Sequence, residues 1–306
     1  MVYDVVIIGA GPAGITAAIY ATRKGLKCVL VAQKVGGEQL AATSQIENYP
    51  PFKSVESGKK LMDMFYENLK HYNVPVFEGE VVKSIKKEGD VFIVECKLNK
   101  YQGKTLIVAS GKAPRKLNIP GEKEFEGKGV SFCSICDGPL FKGKDVAVIG
   151  AGKYLIEPIN DLLGIANKIY VLEFAPRIVF KKEFLEKIEK FKNVQIITSA
   201  QVVEIFGDKF VKGLKYINRD TKEIKELRVD GIFVAMGSTI SNEFVRGFLE
   251  LNEKGEVIVN HKTMETSQKG VFAAGDIIDS EFKQIVISAG QGAIAALSAF
   301  RYLSGI

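Results

Sequence analysis

The sequence predicts an α/β protein made of two Rossmann-like three-layer domains, with the second domain inserted into the first. A short strand, a glycine-rich turn, a helix and a second strand open the chain, and this pattern begins again about 140 residues later. The chain has 306 residues, a length that suits two domains of ordinary size.

The first glycine-rich turn has the spacing of a phosphate-binding turn. Gly9, Gly11 and Gly14 follow a β-branched run at residues 5–8 in the pattern G-x-G-x-x-G and precede a helical pattern. The first glycine permits a tight bend, the second lets the backbone approach a pyrophosphate, and the third lets the helix pack on the strand. The helix start adds amide groups and the positive end of its dipole. We therefore predict that this turn binds a dinucleotide.

The second copy of the pattern lies in the middle of the chain. A strand at residues 146–149 leads into Gly150 and Gly152, and the next strand follows at residues 169–172. Two such openings in one chain predict two nucleotide-type domains.

Two segments have the composition of connections between these domains. Residues 110–121 are rich in glycine, proline and lysine, as linkers are, and residues 236–241 provide the return. We predict that residues 1–113 and 244–306 form a discontinuous first domain and that residues 114–243 form the inserted domain.

The cysteines divide into a close pair and two isolated residues. Cys133 and Cys136 can close into a disulfide with little rearrangement, and a helix N-terminus favours the reactive thiolate. The carboxyl group of Asp137, beside the pair, could move a proton during thiol exchange. Half of a zinc site is the rival interpretation, but the chain has no second pair and only two histidines, so we predict no metal site. Cys28 and Cys96 are predicted to be inert core thiols.

Charge and hydropathy exclude several classes of protein. The net charge is +6, but the lysines are spread along the chain without a block of like charges, so no nucleic-acid partner is predicted. The chain enters an apolar strand at once, without a secretory signal, and its apolar runs fall short of the ~20 residues that a membrane span requires. We expect a cytoplasmic protein.

Together these motifs resemble the low-molecular-weight thioredoxin reductases, a family of FAD-dependent pyridine nucleotide-disulfide oxidoreductases (class II). The cysteine motif with its Asp-Gly and an Ala-Ala-Gly-Asp segment are specific to this family in combination. The resemblance covers nearly the whole chain and is carried by residues 9–14, 36–40, 46–50, 107–111, 133–138, 270–276, 283–285 and 288–292.

The resemblance implies FAD as cofactor and a thioredoxin-like protein as partner. It implies that Cys136 faces the flavin, that Cys133 attacks the partner disulfide, and that Asp137 is the general acid. The pyrophosphate would lie on Gly11 and its neighbours, and Asp276 would contact the ribitol. The implied FAD-binding residues are Gly9, Gly11, Pro12, Ala13, Gly14, Gln39, Leu40, Asn48, Ala109, Gly111, Gly275, Asp276, Lys283, Gln284 and Ile285.

The second turn departs from the family pattern, and this leaves the electron donor open. Leu155 stands where the family has a small residue, and Pro158 falls within the helix that should follow. Glu173 ends the next strand, where an acid could bond a ribose diol and repel a 2′-phosphate. NADPH is therefore disfavoured. NADH could bind at Gly150, Gly152 and Glu173, and the remaining option is a domain without nicotinamide and a ferredoxin as donor.

We predict a thioredoxin-disulfide reductase in which FAD passes electrons to the Cys133–Cys136 disulfide. The family resemblance also implies a homodimer and a rotation between the two domains. One alternative is a flavin NADH oxidase or ferredoxin–nicotinamide reductase of the same fold, although those reactions need no thiol pair. The other is a non-catalytic flavin-binding redox sensor.

Overall fold

The structure is a computed structural model that describes residues 1–37, 46–178, 180, 184, 186, 188 and 190–306. The chain divides into two compact units. The first unit consists of Met1–Ala41, Gly58–Ala113 and Thr239–Ile306, and the second of Ala42–Ser57 and Pro114–Ser238. The second unit contains a parallel sheet and the first a sheet of parallel and antiparallel strands, each with helices, so the predicted fold class is confirmed. The predicted domain limits at single residues stay a prediction.

The apolar, β-branched runs of the sequence form strands. In chain order, the strands of the described residues are β1 (Val2–Ala10), β2 (Cys28–Val35), β3 (Val76–Glu78), β4 (Val82–Glu88), β5 (Val91–Cys96), β6 (Lys100–Val108), β7 (Lys112–Pro114), β8 (Val130–Ser131), β9 (Asp145–Gly150), β10 (Lys168–Glu173), β11 (Val194–Ile197), β12 (Ala200–Gly207), β13 (Val211–Asn218), β14 (Ile224–Arg228), β15 (Gly231–Ala235), β16 (Ser238–Ile240) and β17 (Val271–Ala273).

The helices range from four residues to 20 residues in length. The α-helices of the described residues are α1 (Pro12–Arg23), α2 (Gly58–Lys70), α3 (Ser134–Asp137), α4 (Ile156–Leu162) and α5 (Ile285–Ser304). Three 3₁₀ turns cover Gly138–Phe141, Gly152–Leu155 and Glu243–Val245.

The sheet of the first unit has the strand order β3-β2-β1-β6-β5-β4, and β17 also pairs with β6. β1 runs parallel to β2 and β6, with Val5 opposite Cys28 on one side and Thr105 on the other. Val5, Val6 and Ile7 are fully buried because helices and loops cover both faces of a parallel sheet. The carboxyl ends of β1, β6 and β17 therefore meet at one edge, where ligands bind in folds of this class.

The second unit has a parallel sheet in the order β11-β10-β9-β15-β8 and a separate antiparallel sheet, β12-β13-β14. β9 lies between β10 and β15, and its strand residues Val146, Ala147 and Val148 are fully buried. The register places Glu173, at the end of β10, directly opposite Gly150, at the end of β9. Pairing of the two strand ends thus brings this acid to the second glycine turn.

The two short strands at the ends of the inserted segment pair with each other. β7 follows Gly111, whose φ of +69° suits glycine, and β7 forms a two-stranded sheet with β16. The hydroxyl of Thr239 donates to the carbonyl of Ala113, at 3.3 Å.

Helix α5 has the length and the mean hydropathy (1.2) of a membrane-crossing helix, and the predicted absence of a membrane span stays a prediction. A core helix can meet the same criteria. The side chains of Ala295, Ala296 and Ala299 are fully buried, and a Cβ added at Gly292 would lie 2.1 Å from the carbonyl oxygen of Ala13 in α1. The small residues of α5 are therefore explained by close packing on α1.

Candidate active site

The first glycine turn has the geometry of a phosphate cradle. A Cβ at Gly14 would lie 1.8 Å from the carbonyl oxygen of Gly9, and a Cβ at Gly9 would lie 2.2 Å from that of Ala109. Glycine at these positions lets α1 pack against the ends of β1 and β6. Around Gly11, by contrast, a Cβ would meet no described protein atom within 4 Å. α1 begins at Pro12 without a side-chain cap, so its first amides face this open space, and the turn fits the FAD pyrophosphate.

The segment after β17 brings a carboxyl group to the same place. A Cβ at Gly275 would lie 3.0 Å from the Cβ of Ala13, at the start of α1, and the Gly275 amide donates to Gln291, at 3.0 Å. The Asp276 carboxylate accepts a hydrogen bond from the hydroxyl of Ser288, at 3.2 Å. Burial raises the pKa of Asp276 above its usual value. A partly buried acid beside the glycine turn fits the predicted role as a hydroxyl acceptor for the FAD ribitol.

A cluster of one buried acid and two partly buried lysines lies beside Asp276, and only Lys283 among its members is predicted from the sequence. Glu256 is 4% exposed and forms ion pairs with both Lys112 and Lys283. Burial works to raise the pKa of Glu256, but the hydrogen bonds from Lys112 and Asn252, with the charge of Lys283, hold it below its usual value. Burial lowers the pKa of Lys283, and its ammonium donates to the backbone carbonyl of Asp276. Glu256 thereby fixes Lys283 next to Asp276.

The structure locates some of the remaining predicted flavin-binding residues and does not describe others. Gln284 is the N-cap residue of α5 and Ile285 is its first residue. Asn48 lies in the stretch that is grouped with the second unit. Gln39 and Leu40 lie outside the described residues. Their predicted contacts with the flavin stay predictions.

The close cysteine pair is a disulfide in this structure. Cys133 and Cys136 are bonded to each other, with their Cα atoms 5.3 Å apart. Cys133 is the N-cap residue of the short helix α3, and its carbonyl accepts a hydrogen bond from the Asp137 amide, at 3.1 Å. The Asp137 carboxyl is buried and accepts a hydrogen bond from the hydroxyl of Ser131, at 2.6 Å. Burial raises the pKa of Asp137 against the opposing effect of that bond, and this favours the protonated acid.

The second glycine turn does not continue into a regular helix. Gly152 begins a 3₁₀ turn, and α4 starts only at Ile156, so that Pro158 falls in the first turn of α4. A proline in the first turn of a helix leaves no hydrogen bond of that helix unmade, so Pro158 is tolerated at this position. Leu155 is fully buried, and its side chain lies 2.8 Å from where a Cβ of Gly150 would be.

Both carboxylate oxygens of Glu173 bind backbone amides. One accepts from Gly152, at 2.8 Å, and the other accepts from Ala175, at 3.0 Å. Glu173 is 4% exposed. The Glu173 carboxylate thus accepts a hydrogen bond from an amide of the turn that would hold a pyrophosphate. No long helix begins at this turn. In this conformation the Gly152 amide is engaged by Glu173, whereas the space around Gly11 in the first turn is open.

The family model for pyridine nucleotide-disulphide oxidoreductases matches residues 3–292. The chain belongs to this family. The thioredoxin reductase of Streptococcus pyogenes is similar in structure, with a TM-score of 0.95 and 32% identity over 100% of this chain and 99% of that one. The resemblance to low-molecular-weight thioredoxin reductases is confirmed, and the protein is an FAD-dependent oxidoreductase.

Curated relatives of this oxidoreductase are longer proteins. It is 44% identical to an NADH dehydrogenase of Bacillus subtilis over 302 residues, which are 98% of this chain and 58% of the relative. It is 40% identical to an alkyl hydroperoxide reductase component of Staphylococcus epidermidis over 302 residues, which are 98% of this chain and 59% of the relative. The chain thus spans less than three fifths of the length of these relatives.

Proposed function

We propose that this FAD-dependent oxidoreductase reduces the disulfide of a thioredoxin-like protein through Cys133 and Cys136. The observation that carries the proposal is the disulfide with a buried, hydrogen-bonded Asp137 carboxyl in the same turn. A flavoenzyme that only passes electrons between a nicotinamide and another small carrier requires neither a disulfide nor a carboxyl group beside it. The thioredoxin reductase of S. pyogenes supports a thioredoxin-like partner.

The proposed reaction is a pair of thiol–disulfide exchanges. The Cys133 thiolate attacks the partner disulfide, so that a Cys133–partner bond forms and the partner's own S–S bond breaks. The partner thiolate that leaves takes a proton from Asp137. Cys136 then gives up its proton and attacks the sulfur of Cys133, which restores the Cys133–Cys136 disulfide; the second partner sulfur leaves as a thiolate and takes up that proton. When bound, FAD supplies the two electrons that reopen the pair.

The donor of those electrons is the second part of the proposal. We propose that NADPH is not the donor, because a buried carboxylate at the second turn would repel a 2′-phosphate. NADH is the first candidate, supported by the relative named NADH dehydrogenase. A ferredoxin is the second candidate, supported by the poor fit of the second turn to a dinucleotide and by a net charge of +6, which suits an acidic protein donor.

Anaerobic bleaching of the flavin by each donor tests this assignment. We expect NADPH to bleach the enzyme at least about tenfold more slowly than NADH or a reduced ferredoxin, since one desolvated like-charge contact costs more than a factor of ten in affinity. Glu173→Gln should raise the rate with NADPH, and Glu157→Gln, at an exposed position in α4, should not. Faster bleaching of the wild type by NADPH than by the other two donors would contradict the assignment.

A second candidate function is direct oxidation of NADH through the flavin, favoured by the name of the B. subtilis relative. It differs from the first in that it would survive replacement of both Cys133 and Cys136 by serine. A redox sensor would show no steady-state turnover with any donor. On the family resemblance alone, we further propose a homodimer in the cytoplasm.

A further inference from the structure

Ser131 joins the two parts of the thiol-exchange site. It ends β8, is 5% exposed, and its hydroxyl oxygen lies 2.6 Å from Oδ2 of Asp137. The same oxygen accepts a hydrogen bond from the Cys133 amide, at 3.1 Å. The hydroxyl has one hydrogen, and the carboxyl oxygen at 2.6 Å competes for it better than the Cys133 carbonyl at 3.3 Å. Ser131 therefore donates to Asp137 while it holds the backbone of Cys133.

This bond distinguishes the two oxygens of the Asp137 carboxyl. Because Oδ2 accepts the Ser131 hydrogen, the acidic proton belongs on Oδ1. Oδ1 is buried and has no hydrogen-bond partner among the described residues. Buried polar atoms without a partner are uncommon in proteins, and they point to a functional reason. Here the unpartnered oxygen is the one that carries a transferable proton.

We propose that Ser131 is a positioning residue for thiol exchange, which orients the Asp137 carboxyl so that Oδ1 presents its proton to the departing thiolate. The inference rests on the proposed exchange chemistry and adds a residue to it. Ser131 touches neither reacting sulfur in this scheme; it acts through Asp137. Its loss should therefore slow proton delivery far more than it slows the exchange at the sulfur atoms.

The test compares disulfides whose leaving groups differ in their need for a proton. Enzyme reduced anaerobically with dithionite, and freed of excess reductant, is mixed with hydroxyethyl disulfide, with oxidised thioredoxin or with DTNB. An aliphatic thiolate leaves poorly without a proton, whereas the aromatic thiolate of DTNB leaves readily. For Ser131→Ala we expect a loss of about tenfold with hydroxyethyl disulfide and thioredoxin, and of less than about twofold with DTNB.

The pH profile gives a second readout that a merely structural role would not move. The Ser131 bond lowers the pKa of Asp137, so its removal raises that pKa further. The alkaline limb of the rate with hydroxyethyl disulfide, where Asp137 loses its proton, should shift to higher pH in Ser131→Ala. Ser131→Thr keeps the hydroxyl, so its alkaline limb should lie at the same pH as that of the wild type. Ser131→Gly serves as a second variant without the hydroxyl if the alanine variant fails to fold.

Ser134→Ala is the matched control, because it removes a hydroxyl that also donates at 2.6 Å, but to Asp161. Ser134→Ala should leave unchanged both the ratio of the rates with hydroxyethyl disulfide and DTNB and the pH of the alkaline limb. In Ser131→Ala, equal losses with DTNB and hydroxyethyl disulfide, no loss with either, or an unmoved alkaline limb would overturn the proposal. If the wild type reduces hydroxyethyl disulfide but not thioredoxin, the proposed partner is wrong. The comparison of Ser131→Ala with the wild type on hydroxyethyl disulfide and DTNB can then still be interpreted.

Discussion

Cys136→Ser is expected to lower steady-state reduction of a thioredoxin-like disulfide by about a thousandfold or more, with its FAD content unchanged. Without Cys136, the Cys133 thiolate can attack the partner once, but nothing resolves the mixed disulfide. The variant should therefore accumulate a covalent complex with the partner, which non-reducing electrophoresis or intact-mass measurement detects. Turnover and complex formation are measured on the same preparation.

Cys96→Ala is the control for loss of a thiol. Cys96 is buried at the end of β5, and burial raises the pKa of its thiol to about 12, so it stays protonated. Its replacement should leave turnover within about twofold of the wild type, since a protonated thiol does not exchange. Full activity of Cys136→Ser would show that the proposed electron path is wrong.

Gly11→Ala and Gly14→Ala should separate flavin binding from folding, although the two glycines lie in one turn. A Cβ at Gly11 meets open space, and its φ of −83° is one that alanine adopts freely. We expect this variant to fold as the wild type and to lose FAD affinity by about tenfold or more, because the methyl group fills the approach to the helix amides.

Gly14→Ala should instead destabilise the protein by about 3 kcal/mol, because the added Cβ would lie 1.8 Å from a backbone oxygen that cannot move aside. Urea unfolding of the flavin-free proteins measures the stability difference, and titration with FAD measures the affinity. Equal stability of the two variants, or full FAD affinity in Gly11→Ala, would refute this account of the turn.

Features that are local in the sequence could be predicted from it. The spacing of Gly9, Gly11 and Gly14 sets the turn and the packing of α1, because each glycine acts on atoms a few residues away or on the neighbouring strand. The pair of Cys133 and Cys136 is local in the same sense, and the disulfide follows from its spacing. The two-domain arrangement also followed from a pattern that occurs twice.

Features that depend on distant residues could not be predicted. Glu256 pairs with Lys112, which is 144 positions away, and a single sequence does not show which lysine a buried acid will meet. The position of Glu173 at a strand end is predicted correctly, but the bonds from the Gly152 and Ala175 amides to its oxygens depend on the register of β9 and β10. The 3₁₀ turn at Gly152–Leu155 places Pro158 in the first turn of α4, and the glycine spacing alone does not indicate that turn.

The number of electrons that the enzyme accepts tests the central claim most directly. An anaerobic dithionite titration, followed by flavin absorbance, counts the electrons taken up per FAD. We predict four for the wild type, two for the flavin and two for the Cys133–Cys136 disulfide, and two for the variant with both cysteines replaced by serine. An uptake of two electrons by the wild type would mean that the disulfide is not in redox contact with the flavin, and would contradict the proposed function.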